Sequence, residues 1–267
     1  MNNKINWEKF SKCIITYPFK KYNIVYFHAF TGSYKNKSII ANQFEDCNFY
    51  AFDMPGHGDT KFDSNEQISI NYFCELGIQF ILDNDINNVI LFGHSMGGGI
   101  VTMIANHPLI KDRVKKIILE CPASLASLVN YETVIKKLIP DSLEEMELIA
   151  NELFYDPLKF FGNDKNYQKF LNLEFERLKN KQYLKVILDK DNQKEMGNKI
   201  NQGIIANDKK ALLILGEEDK IIPAKESTEI FKVNSNYQIS IIKNTKHVPI
   251  AEKTNELLKT INYFIQD

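Results

Sequence analysis

Arginine is almost missing from this chain. Of 33 basic residues only Arg113 and Arg177 are arginine. Arginine is the planar fork that clamps carboxylates and phosphates two bonds at a time, so a site that needs several such clamps is hard to build here. An excess of either charge is missing too. Lys plus Arg is 33, Asp plus Glu is 34 and the net charge is −1, which gives no general pull toward nucleic acid or an anionic membrane. No apolar run approaches the roughly 18–20 residues of a membrane span. The four cysteines, Cys13, Cys47, Cys74 and Cys121, form no C-x-x-C pair, which argues against metal knuckles and dithiol redox motifs. The first ten residues, MNNKINWEKF, are polar and lack the apolar segment of a signal peptide. The expectation is a cytoplasmic chain with reduced thiols.

What is there is the composition of a soluble globular protein: 44% hydrophobic and 25% charged over 267 residues, enough to bury a full core without staples. Short β-rich runs fall at 13–17 (CIITY), 24–27 (IVYF) and 48–52 (NFYAF). Continuous apolar runs of the kind buried on both faces of a parallel sheet fall at 88–92 (NVILF), 116–120 (KIILE), 211–215 (ALLIL) and 238–242 (QISII). Between them, 69–82 and 100–106 carry helical spacing, 38–44 suits a short helix, and 252–265 is amphipathic with Leu257, Leu258, Ile261 and Ile265 on one face. Strands alternating with helices imply a mostly parallel sheet with helices on both sides, an α/β fold. The middle segment breaks the rhythm. It has no buried-strand pattern and is rich in aromatics: Phe154, Tyr155, Phe160, Phe161, Tyr167, Phe170, Phe175 and Tyr183. It reads as a helical cap inserted over the sheet, with residues 1–121 and 208–267 as the core and 122–207 as the insertion. A set of ordinary surface helices whose aromatics pack on the main core is the plainer reading.

The central chemical signal is Gly93-His94-Ser95-Met96-Gly97, a G-x-S-x-G match that follows a strand and opens a helix. Glycines allow a turn so tight that its serine takes a strained backbone and stands clear of the sheet. The turn also aims the Met96 N–H and the helix N-terminus at developing negative charge. A dinucleotide loop does not fit, because the spacing is not G-x-G-x-x-G. A serine hydroxyl needs an adjacent base. Of the five histidines, His247 lies between the last strand and the last helix, on the sheet edge where Ser95 would be. His94 adjoins the serine but points elsewhere on such a turn, and His28 and His57 follow earlier strands. The base in turn needs a carboxylate to fix its tautomer. Asp219, in the GEEDKIIP stretch after ALLIL, is the first choice, with Glu120 as a second and Glu217 and Glu218 as solvated charges. The loop after IVYF supplies a second oxyanion donor through the Phe30 N–H, and His28, Phe30 and His94 are the expected substrate contacts. Nothing calls for a cofactor or a metal, and the oligomeric state is left open.

With HAFTGS (28–33), DMPGHGDT (53–60), GHSMGG (93–98), GEEDKIIP (216–223) and KHVP (246–249) in order along the chain, the sequence resembles the α/β-hydrolase fold superfamily, in its branch of small esterases and lipases with a helical cap. The resemblance implies Ser95 as nucleophile, Asp219 as acid, His247 as base, and Phe30 and Met96 as oxyanion donors. His57 belongs to a structural loop and takes no catalytic role. One departure is Ala29, where the family usually has glycine, and it bears on the oxyanion loop. The expected activity is cleavage of small-molecule carboxylic esters with short to medium acyl chains. Three alternatives share the frame. Residues 118–125 (ILECPASL) resemble the menaquinone-pathway lyase of this fold, although Ile100 stands where its arginine would be. Glu144, Glu145, Glu147 and Glu152 lie where a proline-releasing peptidase holds an N-terminal amine. Some relatives are small-molecule receptors. Ser95 excludes the carboxylate-nucleophile branches.

Overall fold

A computed structural model describes residues 5–267; residues 1–4, the head of the polar N-terminal stretch, lie outside the described residues. The expected strands form one seven-stranded sheet. They are β1 (Lys12–Ile15), β2 (Tyr22–Phe27), β3 (Cys47–Phe52), β4 (Val89–His94), β5 (Val114–Glu120), β6 (Lys210–Gly216) and β7 (Tyr237–Ile242). Their order across the sheet is β1-β3-β2-β4-β5-β6-β7, with β1 antiparallel to β3 and every other pair parallel. The helices are α1 (Lys35–Ser38), α2 (Ile70–Asp83), α3 (Met96–Ile104), α4 (Leu143–Leu153), α5 (Pro157–Phe161), α6 (Asp164–Leu178), α7 (Lys190–Ala206), α8 (Ala224–Phe231), α9 (Pro249–Glu252) and α10 (Thr254–Gln266).

Side chains alternate across a strand, and the two resulting faces are both covered. Val25, Phe27, Leu91, Ile117, Leu119, Leu213 and Leu215 pack in one core with α2, α3 and α7. Ile24, Tyr26, Ile90, Phe92, Ile118, Leu212 and Ile214 pack in another with Leu257, Leu258, Ile261 and Ile265 of α10. This double burial is why the central strands are continuous apolar runs. No helix among the described residues is long and apolar enough to cross a membrane.

Between β5 and β6 the described chain has no strand: turns and short 3-10 pieces lead into α4, α5, α6 and α7. Met146, Ile149, Ala150, Tyr167, Leu171 and Leu178 of α4 and α6 make a third, separate apolar cluster. Phe154, Phe160, Phe161, Tyr167 and Phe170 contact one another, with ring centroids 4.5–5.9 Å apart. These aromatics therefore pack among themselves, not on the main core. Helix α7 differs: its Met196, Ile200 and Ile204 return to the main core.

One expected helix is corrected. The segment 38–44 is not one helix, because α1 stops at Ser38 and a 3-10 turn spans Ala41–Gln43. The turn brings Ala41 and Phe44 down onto the sheet before β3 begins. The expected terminal helix is α10, which starts after Lys253, whose φ of −129° and ψ of 42° are not helical and separate it from α9. There the Glu252 carboxylate reaches back to accept the Lys246 and Tyr155 N–H groups. Helix α8, which the sequence reading passed over, hides a face of small residues, Ala224 and Ser227, beside Phe231.

Candidate active site

Strand β4 ends at His94 and α3 begins at Met96, so Ser95 makes the whole turn. Its φ of 52° and ψ of −116° lie in a region that costs a non-glycine residue about 1–3 kcal/mol. The glycines around it permit the close approach. A Cβ on Gly93 would collide with the Gly97 carbonyl, and one on Gly97 would overlap the Phe27 and His28 carbonyls at the end of β2.

The other two groups come from loops at the same sheet edge. Asp219 follows β6 and is buried. Its Oδ1 accepts the Ile221 and Ile222 N–H groups at 2.8 and 2.9 Å, and its Oδ2 lies 2.8 Å from His247 Nδ1. His247 follows β7, and its Nε2 lies 2.9 Å from Ser95 Oγ. A carboxylate at Nδ1 places the ring proton there, which leaves Nε2 free to accept the serine proton. The His247 backbone is held from both sides: its N–H donates to Leu153 at the end of α4, and its carbonyl accepts His94 Nε2–H. Glu217 and Glu218 are exposed. The second-choice carboxylate, Glu120, does not reach His247. Its Oε2 is 2.8 Å from the buried Lys37 Nζ, and its Oε1 accepts the Ile250 N–H. Burial pushes the Glu120 carboxyl up, but Lys37, His94 and the Ile250 amide outweigh it and leave it below its ordinary range.

Met96 N–H is among the open donors at the start of α3. Neither it nor the Phe30 N–H has an acceptor within the protein among the described residues. Ser95 and Phe30 line a cavity of about 190 Å³ whose far walls are Met146, Ile149, Leu153, Phe154 and Phe170 of the helical segment. Arg177 and Glu174 also line it, joined to each other, with Arg177 donating on to the Thr31 carbonyl. His94 lines this cavity. His28 does not. It is fully buried, with Nε2 accepting the Met54 N–H and Nδ1 against the Ala29 carbonyl, and its ring packs against His57 at 5.1 Å. The expectation of a substrate contact at His28 is corrected, because both ring nitrogens are already used. Burial lowers the pKa of all three of these histidines, His94 to about 4.

Cys121, Asp219 and His247 bring three ligand-type atoms within 4.8 Å of one another. Burial and the Asp219 charge push the Cys121 thiol well up, and a protonated thiol is a poor metal ligand. The Asp219 and His247 atoms are already committed to each other. Sequence reasoning missed the Lys37 ion pair and the position of Cys121. The one signal for both was that residues at 120 and 121 close a central strand at the reactive edge.

A family model for the alpha/beta hydrolase fold matches residues 22–254. The chain is 31% identical to a protein named "Putative esterase/lipase 1" from Mycoplasma genitalium, with 91% of each chain covered. It is 30% identical to Lipase 1 of Psychrobacter immobilis, over 86% of this chain and 72% of the relative. Among solved structures it superimposes on a serine hydrolase from Cycloclasticus zankles, with a TM-score of 0.76 and 17% identity over 96% of this chain and 98% of the other. A meta-cleavage product hydrolase from Pseudomonas fluorescens gives the same TM-score at 16% identity, over 96% and 94%.

Proposed function

Since the chain belongs to the alpha/beta hydrolase fold family, we propose that it cleaves carboxylic esters of small molecules with short to medium acyl chains through an acyl-enzyme on Ser95. The observation that carries this is the unbroken line Asp219 Oδ2 – His247 Nδ1, His247 Nε2 – Ser95 Oγ, at 2.8 and 2.9 Å. Ser95 Oγ attacks the ester carbonyl carbon as its proton passes to His247 Nε2. Asp219 stabilises the imidazolium that forms. The carbonyl oxygen becomes an oxyanion between the Phe30 and Met96 N–H groups, each contributing on the order of 3 kcal/mol to such a transition state. His247 then gives its proton to the departing alcohol. Water, activated by the same imidazole, releases the acid and restores Ser95.

The helical segment, residues 122–207, serves as the cap that supplies the apolar walls. Its chemistry suits neutral esters. A lyase substrate with several carboxylates would need free basic groups, and Arg177 is already spent on Glu174 and the Thr31 carbonyl. A peptidase would need a free acidic group at the cavity, yet Glu144, Glu145, Glu147 and Glu152 do not line it, and Glu174, which does, is paired with Arg177.

A fluorophosphonate should label the wild type covalently, and the Ser95→Ala protein should neither react nor hydrolyse 4-nitrophenyl esters. Equal labelling of the two proteins removes Ser95 from the mechanism. Faster turnover of an aminoacyl-proline amide than of any ester moves the substrate to the peptidase class.

A further inference from the structure

The space at Ser95 is divided. Besides the cavity of about 190 Å³ under the helical segment, a second chamber of about 30 Å³ also touches the serine. Ser95, Phe30, Leu138 and Ile221 line both. His247 and Val248 line only the large one, whereas Met96, Ala123, Ser127 and Met196 line only the small one.

The reaction assigns each half of an ester to one of these spaces. The tetrahedral carbon carries four groups: Ser95 Oγ, the oxyanion, the leaving oxygen and the acyl carbon. The leaving oxygen must come within reach of His247 Nε2 to take its proton. The alcohol therefore lies on the side walled by His247, which is the large cavity. The acyl carbon takes the remaining direction, past Met96 and Ala123. A single water-sized group needs about 10–15 Å³ of such free space, so the small chamber, about 30 Å³ against about 190 Å³ for the large one, takes no more than two or three carbon atoms. Its polar lining is already occupied. Gln193 accepts from Ser127 Oγ and donates to the Ile187 carbonyl, so the chamber favours a plain alkyl group over a charged one.

The chamber shares part of its lining with a further cavity. Ile187 and Met196 line the chamber, and they also line this third cavity, of about 130 Å³, together with Asn71, Glu195 and Lys199. We propose that the enzyme is selective for short-acyl esters, acetyl or propionyl, of larger apolar alcohols, and that Met196 and Ile187 set the acyl limit by closing the small chamber off from the third cavity. This rests on the ester-hydrolase reading and narrows it: the length tolerance belongs to the alcohol side.

Two substrate ladders test it with the full-length protein. One holds the alcohol constant (4-nitrophenyl acetate, butyrate and octanoate), and the other holds the acyl group constant (methyl, butyl and octyl acetate). In the first ladder kcat/KM should fall at least 100-fold from acetate to octanoate. In the second it should stay level or rise with alcohol length. In Met196→Ala, and separately in Ile187→Ala, the octanoate-to-acetate ratio of kcat/KM should rise at least tenfold over wild type. A wild type that turns over octanoate as fast as acetate, or that loses activity with alcohol length, overturns the assignment while leaving the hydrolase reading intact. Absence of turnover on both ladders together with absence of fluorophosphonate labelling removes both. If one variant does not fold, the wild-type ladders and the other variant still decide.

Discussion

Asp219 shows how one carboxylate is used twice. Oδ1 accepts two backbone N–H groups and Oδ2 faces His247 Nδ1. In Asp219→Asn the amide oxygen stays with the Ile221 and Ile222 N–H groups, because only an oxygen can accept them. The NH₂ must then face His247 Nδ1, which has to become an acceptor. The ring proton moves to Nε2, and the base can no longer take the serine proton. The expected result is a loss of kcat of about 10⁴-fold with the melting temperature nearly unchanged. A variant within tenfold of wild type, checked on 4-nitrophenyl acetate, would mean that Asp219 does not set the tautomer. Cys121 belongs to the same scale. Its thiol is buried against Asp219 and held up by that burial and charge, so it behaves as a protonated neighbour of the acid and not as a nucleophile of its own.

At the scale of the elements, the turn between β4 and α3 is held in place by what it cannot admit. A methyl at Gly97 would overlap the Phe27 and His28 carbonyls, which are backbone and cannot rotate away. Gly97→Ala should therefore cost about 3 kcal/mol, the upper range for overpacking. It should also push the end of β2, and with it the Phe30 amide, out of register with Ser95. Gly162 is the control. It has a φ of 84°, yet a Cβ there meets nothing within 4 Å. Gly162→Ala should cost only the about 1–2 kcal/mol of a left-handed residue. Urea midpoints and kcat/KM together check the pair: equal activity losses in both variants would mean that packing under the serine turn is not what positions the oxyanion donors. This contrast also explains what was legible in the sequence. The serine turn, the buried strands and the Asp219 and His247 loops are local patterns, because steric demand at one place dictates glycine, apolar runs and loop residues at that place. Lys37 meeting Glu120, and Met196 coming beside Ser127 and Ser95, are meetings of distant segments that leave no local period. Helix α8 is not legible because a face made of Ala224 and Ser227 has no hydrophobic signature. The segment 38–44 reads as one helix because its spacing is helical, while in the structure a 3-10 turn at Ala41–Gln43 carries the chain to β3.

Across the whole molecule the least visible property is how much stability depends on histidines kept neutral. His28 and His57 sit in two different loops and His94 closes β4; all three are buried, and burial lowers the pKa of each. The groups around His94 are Glu120, which raises its pKa, and Lys37 and His247, which lower it along with burial. A lowered histidine pKa means that the unfolded chain binds a proton that the native state refuses. Stability from such a group is therefore complete above its ordinary value of 6.5 and is lost as pH falls from there toward the native value, about 4 for His94. Over that interval each unit of pH costs about 1.4 kcal/mol per histidine, so His94 alone amounts to about 3 kcal/mol by pH 4. Glu120, held below its ordinary 4.5, adds a loss of the same sign further down, when its pairing with Lys37 is protonated away. The protein should thus unfold in mild acid, with a urea midpoint that declines steadily from pH 7 to pH 5. His94→Gln keeps a donor toward the His247 carbonyl but cannot titrate. It should be less stable than wild type at pH 7.5 and yet lose less stability between pH 7.5 and pH 5, by roughly 1–2 kcal/mol. Parallel curves for the two proteins would show that His94 is protonated at no cost in the native state, and that the acid sensitivity arises elsewhere.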